Sequence, residues 1–150
     1  MLLSGYGITV DLPPGWEGLI YQRDQGDPTL HAGNFVLPQG DSDFATLAIA
    51  AMPASGVLLV LTQYELSNAG TGLFAHAGLP APVPERALRR RAFTRLQPLR
   101  LGVQRFCTVS GRPFCLYVVV GTDPDPGSLL GQANAVLSTV DVKPVVRPGG

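Results

Sequence analysis

The chain has 150 residues, of which 45% are hydrophobic and only 15% charged, and its formal net charge is zero. This length is typical of one domain, and the hydrophobic content excludes an intrinsically disordered chain. No apolar run approaches the roughly 20 residues of a membrane-spanning helix, and residues 1–6 lack the basic start of a signal peptide. We expect one domain over residues 1–143 and a loose tail over 144–150. If Met1 is the native start, the expected compartment is the cytoplasm.

Charge is divided unevenly along the chain. Residues 1–85 carry eight acidic side chains and one basic side chain, whereas residues 86–150 carry three acidic and ten basic side chains. Two interpretations follow. Either the halves interleave in one fold and neutralise each other, or each forms a charged patch for a partner. Arginine outnumbers lysine ten to one, which agrees with GC-rich codon usage, so the choice of arginine is not by itself evidence of phosphate recognition.

The N-terminal half is dominated by strand signals. Apolar and polar residues alternate over 6–12, which predicts a half-buried strand, and the Pro-Pro-Gly turn over 13–15 ends it. Trp16 follows this turn and is expected to be buried against the core. Further strands are predicted over 18–23, 30–37 and 57–65, and the last of these is apolar enough to be buried on both faces.

The intervening and following segments are less regular. Apolar residues at helical spacing over 43–52 predict a short helix, with Asp43 as its N-cap and Pro53 as its stop. Residues 67–85 are rich in glycine and proline, which predicts a long surface connection of a kind that is often functional. Residues 87–96 are interpreted as a strand or an arginine-rich edge.

The C-terminal third contains the clearest hairpin, with strands over 101–109 and 114–121 around Ser110-Gly-Arg-Pro113. A three-residue turn would place Cys107 and Cys115 directly opposite each other, within disulfide distance, whereas a two- or four-residue turn would offset them by one residue. Two reduced thiols are expected in a cytoplasmic protein. Asp125 and Pro126 predict the start of an amphipathic helix whose apolar stripe extends from Leu129 to Val140.

Two stretches carry a family resemblance. The opening Gly7-Ile-Thr-Val-Asp-Leu-Pro-Pro-Gly-Trp16 resembles the start of PsbP-like domains, the superfamily that also contains the Ran-binding Mog proteins, and residues 128–142 resemble their closing helix and short final strand. Gly111-Arg-Pro-Phe-Cys-Leu-Tyr-Val-Val119 resembles a strand of uncharacterised actinobacterial members. The resemblance covers about half of the chain. It implies an antiparallel sheet covered by helices and a mostly non-catalytic role in larger assemblies, and it transfers no catalytic residue.

Candidate chemistry is sparse. Gly70-Thr-Gly-Leu-Phe-Ala75 fits a dinucleotide-binding fingerprint, but the prolines that follow leave no room for the helix that such a site requires. His31 and His76 are the two histidines, and each is a candidate general base or metal ligand without any supporting spacing. We therefore expect no catalytic residue, no metal and no cofactor.

The densest charge cluster consists of arginines in the segment after the glycine- and proline-rich connection: Arg86, Arg89, Arg90, Arg91 and Arg95. Nucleic-acid binding is disfavoured, because Phe93 is the one interleaved aromatic residue and the predicted pI is about 6.7. The sequence predicts an α+β domain with a mainly antiparallel sheet of five to seven strands and helices packed on it. Its predicted function is a non-catalytic interaction module that binds a partner protein, with an acidic surface, through the 67–85 connection and these adjoining arginines. The alternative is a small-molecule-binding protein or minor enzyme with a cleft between the sheet and the 67–85 loop.

Overall fold

The computed structural model describes residues 1–90 and 100–145. Within these ranges the chain forms an α+β fold with two antiparallel sheets, which confirms the expected class. The strands and helices, in chain order, are β1 (Leu2–Gly5), β2 (Ile8–Asp11), β3 (Glu17–Tyr21), β4 (Thr29–Gly33), α1 (Thr46–Ala51), β5 (Val57–Gln63), β6 (Leu101–Val109), β7 (Arg112–Val120), α2 (Pro126–Leu137) and β8 (Asp141–Val142).

The larger sheet has five strands in the order β3-β4-β5-β7-β6, and the smaller sheet has the order β1-β2-β8. β5 is central, as expected, and all seven of its residues are buried. No helix in the described residues is long and apolar enough to cross a membrane.

The five-stranded sheet has a hydrophobic core on each face. Alternate residues of β7, beginning with Phe114, pack with α2 and the small sheet, whereas Tyr117 and Val119 pack with α1 on the other face. The apolar stripe of α2 is buried as expected, and Asp125 caps the helix by accepting a hydrogen bond from the backbone N–H of Ser128 at 2.8 Å. The main core therefore lies between the two sheets and α2.

The expected first strand is partly wrong. Residues 6 and 7 form a turn between β1 and β2, with Tyr6 at φ 52° and Gly7 at φ 78°. The alternation is real from Ile8 onward, where Ile8 and Val10 are fully buried. Trp16 packs against the main core as expected, but its side chain is only half-buried.

The cap of α1 is corrected as well. The N-cap position is Ala45, which has a left-handed φ of 58° and offers no side-chain hydrogen bond. Instead, the buried carboxylate of Asp41 accepts hydrogen bonds from the backbone N–H groups of Leu47 at 2.8 Å and Ala48 at 2.9 Å. Asp43, the expected cap, binds the side chains of Tyr21 and Arg23.

The hairpin of β6 and β7 closes with a two-residue turn. Ser110 and Gly111 both have positive φ, at 52° and 75°, which matches the primed turns that suit the twist of a β-hairpin. Cys107 therefore pairs with Phe114, and Cys115 pairs with Phe106. The offset excludes a disulfide between the cysteines, and both are free and buried.

Candidate functional site

The arginine segment lies against the outer edge of β6. Arg86 belongs to a 3₁₀ turn over Glu85–Ala87, and the buried Leu88 follows it. The backbone of Arg89 donates to Gly102 O at 2.8 Å and accepts from Gly102 N at 2.9 Å. These two bonds fix the segment at an edge strand, while the side chains of Arg86, Arg89 and Arg90 stay exposed.

Three of the five arginines in the predicted cluster are described, and Arg91 and Arg95 lie outside the described residues. β6 adds a further cation, Arg105, that sequence reasoning missed. Arg86, Arg89 and Arg105 line an open concave surface of about 560 Å³, whose apolar floor includes Val103. We call the four exposed or half-exposed cations Arg86, Arg89, Arg90 and Arg105 the arginine surface.

Of the four acidic residues considered as internal partners of this surface, Asp24 is exposed and the other three are engaged elsewhere. Asp43 forms an ion pair with Arg23 at 3.0 Å, Asp41 binds the start of α1, and Asp27 accepts from the side chain of Gln63 at 3.1 Å. Within the described residues, no ion pair involves an arginine of the arginine surface. The two interleaved halves therefore do not neutralise each other here through direct contacts.

Charge is instead separated across the sheet. Asp43 accepts from Tyr21 on β3, and the backbone carbonyl of Asp41 accepts from Arg23, just beyond that strand. The arginine surface lies at β6, the opposite edge strand. Neighbouring strands lie about 4.8 Å apart, so four spacings separate the two edges by about 19 Å. That is more than twice the Debye length of about 8 Å at physiological salt, so solvent ions screen most of the attraction between the edges.

The 67–85 connection is less superficial than expected. Thr108 on β6 donates its hydroxyl to Phe74 O at 2.7 Å and accepts from Gly70 N at 2.9 Å. Phe74 is buried against Tyr64 and Phe106. At its far end, Val83 exchanges two hydrogen bonds with the side chain of Asn134 on α2, at 2.8 and 3.0 Å.

The dinucleotide-like glycine motif forms no α-helix at its second glycine. Residues 72–74 make a single 3₁₀ turn, and the connection then continues to a bridge between Ala77 and Thr108. A turn of three residues does not create the helix N-terminus on which pyrophosphate binding depends. The connection and the arginine segment together cover much of the outer edge of β6.

The two histidines occupy different environments, one buried and one exposed. His31 on β4 is 4% exposed; its Nε2 donates to the carbonyl of Asp43 at 2.9 Å and its ring packs edge-on against Tyr21. Burial lowers the pKa of His31 below its ordinary value, which favours the neutral imidazole. His76 is exposed. No group of three metal-ligating side chains occurs among the residues that the structure describes.

Among the described residues, no cation lowers the pKa of either thiol, and the effect of a hydrogen bond between Gln104 and Cys115 is outweighed by burial. Burial raises the pKa of Cys107 and of Cys115 to about 11 each. A nucleophilic cysteine requires a lowered thiol pKa, because the thiolate is the reactive form. The environment of both thiols is therefore that of core residues.

A cavity of about 490 Å³ lies where the turn over 6–7, the loop before β4 and the segment after β8 meet the ends of β5 and β7. It is not the cleft expected beside the 67–85 loop, of which it includes no residue; Leu66 is the nearest wall residue in sequence. Arg112 lines this cavity and is only 2% exposed. Its Nε donates to Gln63 Oε1 at 2.8 Å, and its Nη1 donates to Lys143 O at 3.0 Å.

Sequence reasoning placed Arg112 in the turn of the hairpin, outside both predicted strands. The signal that identifies it is the register of β7, because Arg112, Phe114 and Leu116 share one face when the turn has two residues.

No family model matches the chain, and neither a curated protein nor a solved structure matches it.

Proposed function

We propose that this chain is a non-catalytic interaction module whose arginine surface binds an acidic surface on a partner protein. The observation that carries the proposal is the group of exposed cations that lacks a carboxylate partner within the described residues. Arginine forks bind carboxylates with two parallel hydrogen bonds, so acidic side chains are the chemically matched ligands.

The geometry of the surface supports a protein partner over a nucleic acid. Sites for nucleic acids usually combine a long basic track with stacking aromatic side chains, whereas no aromatic side chain is among the described residues that line the concave surface. An acidic protein patch is a compact counterpart. Val103 and Ala87 supply apolar area at the floor of the concave surface.

Charge alone gives limited affinity. Exposed ion pairs contribute about 0–1 kcal/mol each, so four arginines supply a few kcal/mol at most, and apolar contact must supply the remainder. The electrostatic part should act mainly on the association rate and should weaken as salt rises.

The PsbP-like resemblance supports the same role, because that superfamily consists mostly of non-catalytic partners in larger assemblies. We extend the proposal to membership of that superfamily. The cytoplasmic location stays a prediction.

The test compares two double variants that lower the net charge by the same amount. Arg86→Ala with Arg89→Ala alters the arginine surface, whereas Val36→Glu with Gln39→Glu adds two negative charges at exposed positions elsewhere. Each tagged protein is used to capture proteins from lysate of its native cell at about 0.05 M and 0.3 M salt. A captured protein is then purified, and its affinity for each variant is measured.

The proposal expects a partner that is retained by wild type and by the control pair, is lost with the Arg86 and Arg89 pair, and is released at the higher salt. Melting curves should be the same for all proteins. An identical captured set for both double variants, or equal affinity at both salt concentrations, would refute the role of this surface.

A further inference from the structure

The buried guanidinium of Arg112 lacks a counter-ion. Its two hydrogen bonds go to a side-chain amide and a backbone carbonyl, both neutral, and its Cζ lies 5.4 Å from the ring centre of Phe114. Within the described residues no carboxylate lies within ion-pair distance of it. Buried charges in proteins are almost always paired, because removing an ion from water costs several kcal/mol.

The carboxylate of Asp27 is linked to Arg112 only through the side chain of Gln63. Gln63 accepts from Arg112 through Oε1 and donates from Nε2 to Asp27 Oδ1 at 3.1 Å. Burial lowers the pKa of Arg112, and the negative charge of Asp27 raises it by a smaller amount. A net lowering is expected of a buried cation whose acidic partner is too remote to compensate for the burial.

The turn between β1 and β2 is shaped to admit the guanidinium. A Cβ atom on Gly7 would lie 2.9 Å from Arg112 Nη1, and Gly7 has a φ of +78°. The backbone carbonyl of Gly7 also accepts from Lys143 N at 2.8 Å, which holds the segment after β8 over the same place. A close approach and a left-handed φ both call for glycine at this position.

The cavity beside Arg112 has the size and character of a small-molecule site. Its volume of about 490 Å³ lies within the range of about 300–1,000 Å³ that is typical of such sites. Its walls are mainly apolar, with contributions from Leu66, Pro28 and Val145. One buried cation in the wall of an apolar cavity matches an organic molecule with one anionic group.

We propose that this cavity binds a small organic carboxylate, with the carboxylate beside Arg112 and the apolar body against Leu66 and Val145. Arg112 and Lys143 contribute two positive charges to the walls and Asp27 one negative charge, so a singly charged anion balances them. Inorganic phosphate would leave the apolar walls uncovered. This site is separate from the arginine surface, so either proposal can fail alone.

The test uses two carboxylates and their neutral amides as probes: octanoate with octanamide, and benzoate with benzamide. Binding is measured by calorimetry on the full chain, and the site is located by NMR shifts of the Gly7 amide and the Gln63 side-chain amide. We expect one saturable site for at least one carboxylate, with at least about tenfold weaker binding of its amide. Inorganic phosphate is titrated as an anion without an apolar body and should bind no more tightly than the amide.

A matched pair of variants keeps the test independent of folding. Leu66 is 42% exposed and lines the cavity, whereas Leu73 is 68% exposed and does not, and both lie in 3₁₀ turns. Leu66→Glu places a negative charge at the cavity and should weaken carboxylate binding about tenfold or more, while Leu73→Glu should not change it. Arg112→Lys keeps the charge but loses the fork, and where it folds it should also weaken binding.

Several results would overturn the proposal. These are no saturable binding of either carboxylate up to about 10 mM, equal affinity for acid and amide, phosphate binding as tightly as the carboxylates, and equal effects of the two glutamate variants. The last result would place any binding site outside this cavity.

Discussion

Replacing Asp41 tests how this fold uses its acidic residues. The Asp41 carboxylate accepts three backbone N–H groups, from Ser42 at 2.8 Å, Leu47 at 2.8 Å and Ala48 at 2.9 Å. Two of these donors lie in the first turn of α1, where the N-cap residue Ala45 has no side-chain acceptor. Asp41→Ala therefore removes the acceptor of two N–H groups in this turn, while Ser42 Oγ still accepts from Thr46 N at 3.1 Å.

The size of the effect follows from the burial of the donors. Leu47 is 50% exposed, so water can replace the carboxylate at its N–H, whereas Ala48 is 1% exposed and its N–H would be left without an acceptor. Loss of a helix cap costs about 0.5–2 kcal/mol, and a buried unsatisfied donor costs about 1–3 kcal/mol. We expect Asp41→Ala to lower the free energy of unfolding by about 3 kcal/mol, which corresponds to about 6–12 °C in Tm for a chain of this length.

The assay is urea unfolding followed by circular dichroism, with unchanged m-values as the check for two-state behaviour. Asp24→Ala is the control, because Asp24 is exposed, and it should change stability by less than about 0.5 kcal/mol. Asp41→Asn retains one acceptor oxygen and should lose about half as much as the alanine variant. Equal stabilities of Asp41→Ala and Asp24→Ala would refute the assignment of Asp41 as the cap of α1.

Three further predictions concern the histidines, the core and the thiols. The lowered pKa of His31 means that, at acid pH, the unfolded chain binds a proton that the folded chain does not. The free energy of unfolding should therefore fall as pH drops below about 6.5, by up to about 1.4 kcal/mol per pH unit. In urea titrations at several pH values, His31→Gln should reduce this pH dependence; an unchanged pH dependence, or an equal reduction in His76→Gln, would contradict the prediction. Leu137→Asp would bury an unpaired charge in the main core, where Leu137 is 3% exposed, and should abolish cooperative thermal unfolding, so a retained sharp transition would contradict its placement. Because burial raises the pKa of Cys107 and Cys115 to about 11, a thiol reagent near pH 8 should label neither in the native protein and both after denaturation, and fast native labelling of either would contradict their core environment.

The large apolar elements were predictable because their periodicity is set by burial. Continuous hydrophobicity placed β5 at the centre of the sheet, and the stripe beginning at Leu129 placed α2 against it. The missed strand β1 differs because Leu2 is 69% exposed and its neighbours show little contrast between faces. The alternation that begins at Tyr6 led the predicted strand to include both turn residues, Tyr6 and Gly7, since a non-glycine residue with positive φ gives little local signal.

The candidate sites were harder to predict for a different reason. Single-sequence rules assign charged residues to solvent, which is correct for Arg86 and Arg89 but wrong for Arg112. The burial of Arg112 depends on the exact number of residues in the hairpin turn, and a shift of one residue would turn its side chain to the opposite face. Arg105 joined the arginine surface only through a backbone pairing between segments that are distant in the sequence.

The pairing of β2 with β8 has a consequence for the order in which this molecule can fold. Ile8 pairs with Val142, near opposite ends of the described chain, whereas β3, β4 and β5 join through sequential antiparallel pairings. Closing so long a loop carries an entropic cost that must be met before the contact stabilises anything, and such non-local contacts slow folding. During synthesis, β1 and β2 would precede the other strands of the domain. They could pack with α2 and β8 only after nearly the whole domain had been made. The pairing between β2 and β8 should therefore be the last part of the small sheet to acquire protection from hydrogen exchange.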